Sequence, residues 1–110
     1  IEYIRMPESL VGKGDFFALI AKGESMIDAG IHPGDYVMIR KQNTAEIGDI
    51  VVALDQGVNN LKVLGFNHNK GAYFLRPCNE DKGRYGDIYP EELQSPGGAV
   101  RVAHRLKKML

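Results

Sequence analysis

The sequence has one cysteine, Cys78, so no internal disulfide can staple the fold and no second thiol is at hand for a zinc site. That fits a reducing, cytoplasmic setting. The three histidines, His32, His68 and His104, follow one another at 36-residue intervals. This is no ligand spacing, and neither a metal nor another cofactor is expected. Charge of one sign is not in excess either: fourteen Lys and Arg face fourteen Asp and Glu. No global field therefore draws the chain to nucleic acid or to an anionic membrane. No apolar run approaches the roughly 18 residues that span a bilayer. The opening Ile1-Glu2-Tyr3-Ile4-Arg5 lacks the basic and apolar regions of a secretory signal. Long helices are excluded by punctuation, because the longest stretch free of Gly and Pro, Asp35 to Ile47, is thirteen residues.

What is present is one domain's worth of chain, 110 residues, with 44% hydrophobic and 25% charged residues. Its apolar residues come in short runs bounded by turn residues, the pattern of strands. Phe16 to Ala21 is the first, and Tyr36 to Arg40, launched from Pro33-Gly34-Asp35, is the second. Ile50 to Leu54 is apolar on both faces and reads as a central buried strand. Asn60 to Phe66 and Ala72 to Arg76 follow, with turns at Gln56-Gly57 and Asn67 to Gly71. The charged stretch after Pro77-Cys78-Asn79 offers one short strand near Ile88-Tyr89, and Ala99 to Leu106 alternates as a half-exposed strand. A single turn near Met26 to Ala29 is the only helical candidate. The expected architecture is all-β, a compact single domain over residues 1–110.

Serine is scarce, with Ser9, Ser25 and Ser95 only. Ser25 sits in Gly23-Glu24-Ser25-Met26, after a strand and at the start of the helical turn. A hydroxyl there projects from a rigid scaffold, and unpaired N–H groups of the turn can face a developing oxyanion. The plainer alternative is a helix N-cap, with Asp28 completing a capping box. Lys62 interrupts an otherwise apolar strand, on the face of Leu64 and Phe66. Held among apolar side chains it loses hydration, its pKa falls, and a neutral amine can act as a general base. The alternative is a lysine whose stem carries its head to water. The two residues lie 62 − 25 = 37 positions apart, and a Ser-Lys pair is a known form of nucleophile and base. Gly12-Lys13-Gly14 lacks the rest of a dinucleotide fingerprint, and no Walker-type loop occurs.

The stretch Gly23-Glu24-Ser25-Met26-Ile27-Asp28-Ala29-Gly30-Ile31-His32-Pro33-Gly34-Asp35 resembles the nucleophile segment of LexA-type self-cleaving repressors. Arg40 to Ala53, with its Ile47-Gly48-Asp49-Ile50-Val51-Val52 core, is similar to the strand, turn and strand that follow in that family, and Asn60-Leu61-Lys62 falls where the family carries its catalytic lysine. The resemblance runs from about Tyr3 to Leu106. It implies a LexA- or signal-peptidase-like, β-barrel-like domain of short, strongly bent strands with at most one helical turn. It also implies Ser25 as nucleophile and Lys62 as neutral general base. The substrate would be an Ala-Gly bond in the protein's own upstream segment, cut with RecA on single-stranded DNA as co-protease, lifting repression of DNA-damage genes. The Ala29-Gly30 pair here lies in the turn after the nucleophile and is a poor candidate for that bond. The cleavage segment and the DNA-binding helix-turn-helix domain are therefore expected outside this chain. The family further implies a homodimer, here through the last strand, Ala99 to Leu106, whose exposed edge a symmetry mate would cover. Other readings of the same core are a UmuD-like polymerase accessory protein and a phage-type repressor. A signal peptidase would need a membrane anchor and an apolar insertion surface, neither of which is evident. A non-catalytic dimerisation module would have Ser25 as a cap and Lys62 in water.

Overall fold

The computed structural model describes residues 3–5, 16–40, 44–55, 58–94 and 100–104. Among these residues seven strands lie in chain order: β1 (Tyr3–Arg5), β2 (Phe16–Ile20), β3 (Tyr36–Arg40), β4 (Ile50–Asp55), β5 (Val58–Asn67), β6 (Ala72–Arg76) and β7 (Val100–His104). All pairings are antiparallel, and the ladder runs β1-β2-β3-β7-β4-β5-β6 without closing on itself among the described residues. The all-β expectation holds, and the bounds of β3 and β6 match the reading of the sequence. Expected turns at 12–15, 56–57 and 97–98 lie outside the described residues.

Three features depart from the sequence reading. The three-residue β1 joins the outer side of β2, and Glu91–Gln94 forms one α-helical turn, α1, that buries Leu93. The strand expected near Ile88 is a single bridge to Leu75. The third concerns β7. It pairs with β3 through residues 102–104 and with β4 through residues 100–102, so it sits inside the sheet instead of at an exposed edge. Residues 99, 105 and 106 of the expected strand lie outside the described residues.

Strand alternation sorts the apolar side chains onto two faces. Leu19, Val37, Ile39 and Val52 form one core with Met26 and Ile31, and Leu61 and Val63 pack against it. Val51, Ala53, Leu64, Leu75 and Leu93 form the other. β4 contributes to both, as expected for a strand apolar on each face.

One glycine is there because of its neighbour. Gly65 stands opposite Phe74 in the β5–β6 register, and a Cβ built on it would collide with the Phe74 ring. That ring has little freedom to leave, with the Tyr89 ring 5.8 Å away and the Arg76 guanidinium 4.8 Å over its face. Gly65→Ala is expected to destabilise the fold by about 1–3 kcal/mol, as overpacking does. A lower urea midpoint at constant m-value would show it, and an unchanged midpoint would mean that the ring moves aside freely.

Candidate active site

Beyond β2 the ladder continues as single bonds, Ala21 N–H to Asp35 O and Gly34 N–H to Ala21 O, each near 2.9 Å. These hold the base of a loop, residues 22–34, that carries Ser25. Within it Ile27–Ala29 makes one 3-10 turn, and Gly30 ends it in the left-handed region at φ 76°, where its N–H donates to Ile27 O. Met26 and Ile31 anchor the loop by burying their side chains in the first core. At the loop's exit, Asp35 Oδ2 accepts from His32 N–H at 2.9 Å, the local turn chemistry that launches β3.

Ser25 does not cap this turn. The N-cap position is Met26, with no side-chain capping bond, so the capping-box alternative fails. The Ser25 hydroxyl instead lies 3.0 Å from Lys62 Nζ, which also donates to Leu61 O at 3.1 Å. β6 pairs with β5 only from Val63 onward, so beside Lys62 the outer side of β5 is not taken by a described strand. Burial strips the ammonium of hydration and pushes the Lys62 pKa below its ordinary value. A neutral amine has two N–H donors and one lone pair. Donation to Leu61 O therefore leaves the lone pair able to accept the Ser25 O–H proton over the same 3.0 Å.

The pair opens onto a cleft of about 330 Å³ between the end of β2 and the first half of β5. Leu19, Met26, Ile31 and Leu61 give it an apolar floor, while Lys22, Gly23 and Asn60 stand along it. Among the described residues no backbone carbonyl accepts from the N–H of Ser25 or Met26, and the first amide the turn uses is that of Ile27. Such a site can activate a hydroxyl against a carbonyl carbon held in an apolar slot.

One residue at the site went unmarked in the sequence. After β6 the chain runs back to the Ser25 loop, where Cys78 O accepts from Asp28 N–H at 2.9 Å and Asn79 Nδ2 donates to Glu24 O at 2.8 Å. The only signal was a polar residue two positions after Pro77, which reads as the end of a strand.

Comparison with known proteins points the same way. The Peptidase S24-like family model matches residues 1–95. The chain is 45% identical over 105 residues to a LexA repressor of Bifidobacterium adolescentis, covering 96% of this chain and 39% of that protein. It is 36% identical over 105 residues to a LexA repressor of Desulforamulus reducens, covering 96% and 47%. A third, from Mycolicibacterium smegmatis, is 43% identical over 101 residues, covering 92% and 40%. The chain thus spans less than half the length of these curated relatives.

Proposed function

Because the chain belongs to the Peptidase S24-like family, we propose that it is the self-cleaving core of a LexA-like repressor of the DNA-damage response. The observation that carries this reading is the 3.0 Å contact between Ser25 Oγ and a lysine amine that burial favours in its neutral form. Lys62 takes the hydroxyl proton as Ser25 Oγ attacks the scissile carbonyl carbon. It then returns that proton to the departing amine, leaving an acyl-enzyme that water hydrolyses. The substrate is an upstream segment of the same protein laid in the cleft. A RecA filament on single-stranded DNA stimulates the cut, and the helix-turn-helix domain outside this chain binds the operator. The similarity to proteins named LexA repressor favours this over a UmuD-like accessory protein. A homodimer is part of the reading. On its β4 side β7 is paired only through Val102, so a ladder between copies along that side would begin at Ala103 or later.

The parent protein, held at alkaline pH without RecA and followed by intact mass, tests this. One cut upstream of Ile1, absent in both Ser25→Ala and Lys62→Ala, is the expected result. A parent that stays whole yet dimerises would leave a binding module.

A further inference from the structure

Asn79 is the one polar side chain that is buried among the described residues, 8% exposed. Both ends of its carboxamide are used: Nδ2 donates to Glu24 O at 2.8 Å, and Oδ1 accepts from Asp81 N–H at 2.9 Å. Glu24 O also accepts from Ile27 N–H at 3.3 Å. The carbonyl of Glu24 and the N–H of Ser25 belong to one peptide unit. Among the described residues no peptide is cis, so these two groups lie in one plane and point in opposite directions. Fixing Glu24 O against Asn79 therefore turns the Ser25 N–H away from Asn79. Among the described residues no backbone carbonyl accepts from it.

We propose that Asn79 is a positioning residue: it clamps the Glu24–Ser25 peptide so that the Ser25 N–H is aimed at the oxyanion formed on the scissile carbonyl. The inference rests on the peptidase reading above. Donation to the carbonyl also polarises the amide and strengthens its N–H as a donor. The bond from Asp28 N–H to Cys78 O ties the same two segments together one turn further on, so the clamp has a fixed base. Asn79 acts through the backbone of Ser25, whereas the hydrogen bonds of Lys62 go to Ser25 Oγ and Leu61 O. Loss of the clamp should leave the base untouched.

The test uses the parent protein. Asn79→Leu is close in volume and uncharged, so it cannot donate to Glu24 O and places no new charge near Lys62. Deleting an oxyanion donor outright costs about 10²–10³ in rate, so a misaligned one should cost about 10–100-fold. The expected result is that loss in the alkaline plateau of self-cleavage, with an unchanged midpoint in the rate–pH curve, which Lys62 sets. A merely structural role would loosen the cleft, rehydrate Lys62 and move the midpoint upward. A second measurement needs no variant. A fluorophosphonate forms a P–O bond to Ser25 Oγ as fluoride leaves and the hydroxyl proton passes to Lys62. Its phosphonyl oxygen then occupies the oxyanion position, and the Ser25 amide proton should move downfield by NMR. An amide indifferent to the adduct, a shifted midpoint, or an Asn79→Leu rate within about twofold of wild type would overturn the inference. A wild type neither cut nor phosphonylated would overturn the peptidase reading and this one with it. A cut wild type beside an indifferent variant would overturn this one alone.

Discussion

Lys62→Met is expected to give a chain that cleaves nothing and yet is more stable at neutral pH than the wild type. Methionine fills the same unbranched space without an ammonium to dehydrate. Self-cleavage should fall by at least about 10⁴-fold, the scale on which a nucleophile loses its base. The stability change follows from the sign of the Lys62 shift. Its folded pKa lies below the ordinary 10.5 because of burial. Below the folded pKa both states carry the charge, and the folded state bears the full dehydration cost. Between the folded pKa and 10.5 only the unfolded state binds the proton, so wild-type stability rises with pH across that window. Above it both states are neutral. The advantage of Lys62→Met should therefore be largest at neutral pH and fade toward pH 10.5. Over the same rise, wild-type cleavage should climb about tenfold per pH unit until the folded pKa is passed. Urea melts at neutral and alkaline pH check the first expectation and cleavage rates the second. A variant less stable at every pH by a constant amount would mean that Lys62 is hydrated.

Truncations in the two cores should be alike in stability and unlike in chemistry. Ile39 and Leu75 are both fully buried, one in each cluster. Either change to alanine should cost about 2–5 kcal/mol, a large part of the roughly 5–15 kcal/mol that holds a domain of this size. Ile39, however, packs in the cluster that contains Leu19, Met26 and Ile31, which also floor the cleft beside Ser25. Leu75 packs with Val51, Leu64 and Leu93 on the other face. At a temperature where both variants stay folded, Ile39→Ala should slow phosphonylation of Ser25 and Leu75→Ala should not. Equal slowing would show that the faces are mechanically coupled.

What was legible in the sequence were the features that local patterning encodes. Turn residues bracketed β3 and β6 to the residue, and the doubly apolar Ile50 to Leu54 marked the strand that serves both cores. Ser25 and Lys62 were legible as types in a pattern, and the structure brings their side chains together. Neighbourhood was not legible. Alternation tells which face a residue takes and is silent on which strand lies alongside, so the pattern of residues 99–106 points to an edge, whereas β7 lies between β3 and β4. The α1 turn does carry a start signal, Pro90 followed by Glu91 and Glu92, but within a charged stretch that signal is weak. Asn79 bonds a backbone carbonyl 55 positions away, a partner that no local pattern announces.

The place of β7 also sets a timetable. β3 and β4 are consecutive strands but do not pair, and among the described residues the ladder joins their two halves only through residues 100–104. Ser25 belongs to the half that is synthesised first and Lys62 to the half that follows. Ser25 and Lys62 are thus both synthesised before the strand that joins the two halves. Non-local pairing of this kind is the slow, late event of folding. On the self-cleaving reading proposed above, the order is protective: the pair is not framed until β7 has joined the two halves.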